Sequence, residues 1–160
     1  MTLSRKIAAA VEAVPETATV PVLITAEAGP ARLALSLIAA GPVGLAFNHL
    51  DFTVAGRPDL ADTGLRDWAD RLAARLTYLM EPLVVIELDP IIGQAELRSQ
   101  VPTPRPGVRS YYEVRLGRAH TLHLARIAFD EATRRRKPVP CQFTTEVLER
   151  LADDLVELAA

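Results

Sequence analysis

Two pairs of residues in this chain come closest to a catalytic or metal-binding pattern. His49 and Asp51 are two positions apart, so in a regular strand both side chains point to the same face, as metal ligands or a His–Asp base pair would. His120 and His123 are three apart, which places them together on a helix but on opposite faces of a strand, and the residues around them favour a strand. Because nothing supplies a third ligand at a regular spacing, we predict that no metal binds at His49 and Asp51 and that a neighbouring carboxylate holds the histidine structurally.

No other residue pattern indicates a catalytic centre. The single cysteine, Cys141, lies in an apolar alternation that predicts burial and an unreactive thiol. No serine lies in a nucleophile-elbow sequence, and Gly93 and Gly107 stand alone instead of forming a phosphate-binding loop. We therefore expect a protein that is not an enzyme and has no cofactor.

Basic residues are concentrated in one part of the chain. Residues 98–137 contain ten of the 18 lysines and arginines and only three acidic residues, Glu113, Asp130 and Glu131, so this window has a charge of +7. The other 120 residues carry eight basic and 17 acidic residues and sum to −9. Such a concentration can bind phosphate, an acidic protein surface, or the acidic helices of its own fold.

The middle of this window is predicted to be a β-hairpin. Arg109–Leu116 and Ala119–Phe129 alternate on either side of Gly117-Arg118, and glycine at the first position of a two-residue turn is typical of type II′. That register predicts a core face made of Tyr112, Val114, Leu116, Thr121, His123, Ala125, Ile127 and Phe129.

The opposite face of the hairpin is predicted to be basic. Arg109 would lie across from Arg126, and Arg115 across from His120, and like charges that face each other in a sheet need a compensating partner. That partner is an external anion, a carboxylate of the same fold or a carboxylate of a second copy, and a tyrosine among arginines would equally suit stacking of single-stranded nucleic acid. With the cationic run of residues 134–137, the predicted binding residues are Arg109, Tyr111, Arg115, His120, Arg126, Arg135 and Arg136.

Three amphipathic helices are predicted. One covers residues 4–13 with Ser4 as N-cap, and the last begins after an N-cap at Thr144. The strongest covers residues 62–80, where an apolar stripe includes Trp68, which should therefore be buried against the sheet.

The remaining segments are predicted to be strands joined by short turns. A three-strand meander precedes the helix at 62–80, and its alternation slips near Asn48-His49, which predicts a β-bulge. The second half is rich in hairpins, with strands at Leu83–Leu88 and Ala95–Val101, the basic hairpin, and Arg135–Phe143. Pro138 and Pro140 confine that last strand to an edge of the sheet.

The order of elements predicts an α+β fold. Short turns between strands predict a mostly antiparallel sheet with three helices on one face, formed by residues 1–160 as a single domain. The order helix, three strands, helix, further strands, helix resembles the layout of small dimeric secretion chaperones, although no sequence motif supports more than this likeness of layout. The single cysteine is typical of a reducing compartment, and we expect a cytoplasmic protein without a membrane span.

Three hypotheses for function follow. The first is a non-catalytic protein-interaction or assembly module that binds a protein partner or a second copy of itself, since one chain carries complementary basic and acidic regions. The second is a nucleic-acid or phosphate-binding protein that uses the basic hairpin, residues 109–137. The third is a small enzyme with a site near His49 and Asp51.

Overall fold

The computed structural model describes residues 1–99, 103–105 and 107–159, and of 103–105 only the backbone is described. The helices of these residues are α1 (Leu3–Glu12), α2 (Asp62–Arg75) and α3 (Thr145–Leu158). The strands are β1 (Val22–Ala28), β2 (Ala31–Ala40), β3 (Gly44–Val54), β4 (Leu83–Asp89), β5 (Gln94–Ser99), β6 (Thr103–Arg105), β7 (Val108–Gly117), β8 (Thr121–Asp130), β9 (Arg135–Val139) and β10 (Cys141–Thr144). The predicted strand end at Val101 and the prolines at 102 and 106 lie outside the described residues.

The strands form one antiparallel sheet in the order β1-β2-β3-β8-β7-β5-β4, with β10 beside β3, β9 beside β8 and β6 beside β7. All three helices pack on one face of this sheet, where their apolar stripes and the inward strand residues join into one core. The α+β fold with a mainly antiparallel sheet is therefore confirmed. Among the described helices, none has the length and apolar character needed to cross a membrane.

The helix ends differ in part from the predicted ones. Thr144 caps α3 as predicted, since its hydroxyl accepts a hydrogen bond from the Val147 amide. For α1 the cap is Thr2 instead of Ser4, which is buried in the first turn. The prediction that α2 extends to residue 80 was wrong, because the chain leaves the helical conformation at Leu76. Leu76 and Leu79 still enter the core, so the apolar stripe continues after the helix has ended.

The β-bulge predicted at Asn48-His49 is confirmed. Leu35 pairs with Leu50, but Leu37 pairs with Phe47, so β3 carries one residue more than β2 across this interval. A second irregularity on β2, between Leu37 and Ala39, restores the register. After the bulge, the side chains of Leu50, Phe52 and Val54 on β3 are buried in the core.

The strand predicted at 135–143 is divided by Pro140 into two strands with different neighbours. β3 and β8 pair with each other only over residues 49–53 and 121–125 and then diverge. β9 pairs with the remaining part of β8, and β10, which runs in the opposite direction to β9, pairs with the remaining part of β3. In an antiparallel pair, opposite residues alternate between hydrogen-bonded and non-hydrogen-bonded pairs. Ile127 and Pro138 form a non-hydrogen-bonded pair, so the nitrogen of Pro138 faces away from β8. Of the strands that the structure describes, β8 is the one that pairs with β9, as the edge prediction required.

The predicted register of the basic hairpin was wrong. Gly117 pairs with Thr121, so the loop has three residues, Arg118, Ala119 and His120, instead of the two-residue turn Gly117-Arg118. His120 takes a left-handed conformation (φ 60°), which is the position that closes a three-residue hairpin and is often filled by glycine.

The longer loop reverses the faces of β8. Leu122, Leu124 and Ala128 face the core, while His123, Ala125, Ile127 and Phe129 lie on the opposite face, against the prediction. Arg109 consequently pairs with Phe129 instead of Arg126, so the predicted opposition of two arginines does not occur, and Arg115 pairs with His123 instead of His120.

Replacement of Trp68 by alanine should lower the free energy of unfolding by about 3–5 kcal/mol. The indole is 1% exposed and lies beneath α2 in the core, as predicted, so its removal leaves a large cavity. Chemical denaturation followed by circular dichroism measures the change. Val156→Ala, on the exposed side of α3, is the control and should change stability by no more than about 0.5 kcal/mol. Equal losses in both variants would contradict the packing described here.

Candidate functional site on the uncovered sheet face

The face of the sheet opposite the helices carries most of the polar side chains of the strands, and we call it the uncovered face. The strand registers place one cross-strand row on it, in which Asp51 of β3 pairs with His123 of β8, His123 with Arg115 of β7, and Arg115 with Glu96 of β5. In the neighbouring row His49 pairs with Ala125, and Ala125 with Glu113. The registers of these three strand pairs therefore position six ionisable groups: His49, Asp51, Glu96, Glu113, Arg115 and His123.

His49, Asp51 and His123 form a compact group, which we call the His–Asp–His cluster. His49 Nδ1 donates to Oδ2 of Asp51 at 3.1 Å, and His123 Nδ1 donates to Oδ1 of the same carboxylate at 2.7 Å. The two imidazole rings lie 5.3 Å apart between centroids with an interplanar angle of 31°. All three side chains are about half exposed, so the cluster is rigidly paired yet open to solvent.

The sequence prediction found two members of this cluster and missed the third. His49 and Asp51 do share a face, as their spacing indicated. His123 was assigned to the core because the hairpin loop was taken as one residue too short, and His120 was assigned to the site in its place. The argument against a metal depended on there being no third ligand, and the structure supplies one in His123.

A second group on the uncovered face is centred on Glu113, whose side chain is only 5% exposed. Its carboxylate forms an ion pair with Arg115 at 2.7 Å and accepts a hydrogen bond from Arg136, and Arg98 lies 3.7 Å away. Glu96 adds a second carboxylate, 3.3 Å from Arg98 and 3.8 Å from Arg115. Much of the cationic charge of the predicted basic face is therefore neutralised within the fold.

Tyr111 lies within this arginine group instead of on an open stacking surface. Its ring is buried, with the guanidinium of Arg98 at 5.4 Å and that of Arg136 at 5.8 Å from the ring centroid. A nucleic-acid base would have to displace these arginines to stack on the ring. The tyrosine therefore acts as a spacer between two cations in this arrangement.

The other predicted binding residues are dispersed. Arg109 pairs with Glu131 at the far end of the hairpin, and Arg135 is exposed on β9. Arg126, predicted on the basic face, lies on the core side, where its guanidinium covers the ring of Tyr112 at 4.6 Å. The structure thus brings Tyr111, Arg115 and Arg136 together and separates the remainder from them.

His120 is buried at the opposite end of the hairpin from Arg109. Its Nε2 donates to the carbonyl oxygen of Pro58 at 2.8 Å, and its ring lies 6.4 Å from that of Trp68. A buried ring with this contact closes a loop and does not belong to an open binding face.

Cys141 begins β10, and its side chain is fully buried in the core, as predicted. Burial raises the pKa of its thiol to about 12, and the nearby charge of Arg126 only partly opposes that shift. A thiol held in its neutral form is a poor nucleophile, so the cysteine is not a catalytic candidate.

A shallow cleft of about 370 Å³ adjoins the His–Asp–His cluster. Asp51, His123 and Arg115 line one side of it, and Thr53, Gln94 and Thr121 contribute polar groups to the rest. The cleft gives small solutes access to the cluster and is the place where a ligand of these residues would lie.

No protein-family model, curated protein or solved structure matches this chain.

Replacement of Glu113 by glutamine should destabilise the protein by about 1–3 kcal/mol, because three arginines keep their charges after the buried carboxylate has lost its own. Glu131→Gln is the matched control, since it removes a carboxylate from the exposed pair with Arg109 and should cost about 0–1 kcal/mol. Urea denaturation at low and high salt compares the two. Added salt should reduce the penalty of the Glu113 change, and a penalty no larger than that of the control would show that Glu113 does not hold the arginine group together.

Stability should fall as the pH is raised from about 8.5 towards 12 through ionisation of Cys141. Its folded pKa of about 12 lies above the ordinary thiol value of about 8.5, so the folded state binds more protons in this interval and the free energy of unfolding decreases with pH. Cys141→Ala should show a shallower alkaline decline in chemical denaturation. Native wild-type protein should also react with a thiol reagent only as fast as it unfolds, and rapid labelling under native conditions would contradict the burial.

Proposed function

We propose that this protein is a non-catalytic interaction module that binds another polypeptide, in the first instance a second copy of itself, by adding a strand to the β1 edge of its sheet. The observation that carries the proposal is that, among the described strands, β1 pairs with β2 alone and its outer side has no strand beside it. A buried unreactive cysteine is consistent with work in a reducing compartment such as the cytoplasm.

β1 is a regular seven-residue strand at one end of the sheet, and its register with β2 is uninterrupted. β1 and β2 are joined by a two-residue turn, so Ala28 and Ala31 form a hydrogen-bonded pair. Because such pairs alternate along the ladder, the backbone N–H and C=O groups of the even-numbered residues of β1 bond to β2, and those of the odd-numbered residues point outward. The amides and carbonyls of Leu23 and Thr25 therefore point away from the sheet. An unpaired row of this kind is a template for another strand.

Apolar side chains accompany these free backbone groups. Leu23 is 64% exposed and Val20, just before the strand, is 51% exposed. Burial of apolar area provides the favourable free energy that backbone pairing alone lacks in water.

Two other edges, those of β9 and β4, are less suited to pairing. On β9 the outward nitrogen at Pro138 carries no hydrogen, and the exposed cations Arg135 and Lys137 precede it. β4 has a bulge at Ile86, between Val85 and Glu87, which interrupts its ladder and increases its twist. Both devices are known to protect sheet edges from association.

Lys6 limits access to β1 at one end. Its ammonium group donates to the carbonyl oxygen of Glu27 at 2.7 Å, which also confirms that the odd-numbered carbonyls of β1 face outward. A second copy that pairs antiparallel about Thr25 would place each Leu23 opposite Glu27 and would compete with this lysine for the carbonyl. Lys6 would therefore weaken the association without preventing it.

A second candidate function is phosphate or nucleic-acid binding by the cationic residues 134–137. It is favoured by the exposure of Arg135 and Lys137 and opposed by the internal ion pairs of Arg115 and Arg136. Salt separates the two, since phosphate contacts weaken steeply with salt and a strand-to-strand interface does not.

Thr25→Pro should abolish self-association and leave the fold intact. Proline removes an outward amide, and the β1–β2 ladder does not use that amide. Lys6→Met should have the opposite effect and strengthen association, because it frees the Glu27 carbonyl and removes a cation from the edge. Sedimentation velocity over a range of concentrations, with circular dichroism as the check on folding, measures both.

Ile91→Lys serves as the control, since Ile91 is 90% exposed on the β4–β5 turn and belongs to a different surface. It should associate like the wild type. A wild-type protein that stays monomeric at the highest concentration, or a dimer that Thr25→Pro leaves unchanged, would refute the proposal. Binding of single-stranded nucleic acid that salt abolishes would support the second candidate instead.

A further inference from the structure

The His–Asp–His cluster has the composition and spacing of a small transition-metal site. One ligand atom from each of His49, Asp51 and His123 can be chosen so that all three lie within 4.8 Å of one another. Ligands bound at about 2.0–2.2 Å to one tetrahedral ion lie roughly 3.3–3.6 Å from each other, so the three groups would have to approach each other by up to roughly 1.5 Å. Changes in the side-chain torsions of the two histidines and the aspartate can supply a movement of this size.

The backbone already holds these ligands in place. His49 and Asp51 come from one strand and His123 from its neighbour, in a regular stretch of the β3–β8 ladder where Asp51 pairs directly with His123. Ligands on paired strands are positioned more precisely than ligands on loops.

The hydrogen bonds of the cluster are ones that a cation can replace. Each imidazole donates its Nδ1 proton to one oxygen of Asp51, so two N–H groups converge on one carboxylate. When a divalent ion takes the place of these two protons, each ring carries its proton on Nε2 instead, and the carboxylate keeps a positive partner.

The charges around the cluster permit an ion there. Arg115 is the nearest cation in the same cross-strand row, and its guanidinium is directed to Glu113 and Glu96 instead of Asp51. No arginine is therefore paired with Asp51 in the described part of the chain, so its carboxylate can serve as a ligand of a cation.

We propose that His49, Asp51 and His123 bind one divalent first-row transition-metal ion, with Zn²⁺ as the representative. Imidazole nitrogens favour zinc, nickel, cobalt and copper over magnesium and calcium, which prefer oxygen ligands. Three protein ligands leave at least one coordination position for water, and the adjoining cleft, lined by Thr53, Gln94 and Thr121, gives access to it.

The test is calorimetric titration of tag-free, chelator-treated protein with Zn²⁺, followed by Co²⁺ absorption spectroscopy in the visible range. One equivalent should bind, and the melting temperature should rise with Zn²⁺ concentration. His49→Ala, His123→Ala and Asp51→Asn should each weaken the affinity at least about tenfold and remove the absorption of the Co²⁺ form. Asp51→Asn preserves the shape of the side chain, so a normal melting curve without metal shows that a loss of affinity is not a loss of fold.

Glu131→Gln is the control, because it removes an exposed carboxylate that pairs with Arg109 and lies outside the cluster. It should bind one equivalent with unchanged affinity. Failure of the wild-type protein to bind Zn²⁺, or binding that survives all three cluster substitutions, would overturn the proposal. Loss of binding in Glu131→Gln as well, with its fold intact, would also contradict it.

Discussion

The loop between β7 and β8 is the constraint on which the chemistry of the uncovered face depends. Three hydrogen bonds fix this loop. The Arg118 carbonyl accepts from the Leu60 amide, and the His120 carbonyl accepts from the Val54 amide. The His120 ring donates to the carbonyl oxygen of Pro58. These bonds hold three residues in the loop. Because side chains alternate along a strand, a loop of two residues would turn every residue of β8 to the other face.

Glu113 organises the charge on that face. A buried carboxylate is costly unless it is paired, and three arginines from three strands meet this one. Two of these arginines, Arg98 and Arg136, also lie over the ring of Tyr111, which is itself buried on this face. The concentration of arginine in residues 98–137 is therefore largely explained by the needs of the fold.

The helices, the meander and the bulge at Asn48-His49 could be predicted from the sequence because periodicity and capping residues are local signals. The faces of β8 could not, since glycine at position 117 suggested a two-residue turn and nothing local shows that His120 takes a left-handed conformation. For the same reason the His–Asp–His cluster could not be predicted. His123 contacts Asp51 only because β3 pairs with β8, and the two residues are 72 positions apart in the sequence. Local patterns also failed at the end of α2, where contacts of Arg75 and Tyr78 with Asp154 of α3 hold a non-helical segment in the core.

The two proposed sites are close in the sheet and yet independent. Thr25 of β1, Ala34 of β2 and Asp51 of β3 lie in one cross-strand row, so only Ala34 separates the free edge from the cluster. Strands are spaced by about 4.8 Å, which puts a strand added beside β1 about 14 Å from Asp51. A bound ion would not touch that strand, and the side chain of Ala34 between them has no polar group that could link the two. Substitutions at the edge should therefore leave the affinity for Zn²⁺ unchanged, and substitutions in the cluster should leave association unchanged, so that each proposal stands or falls without the other.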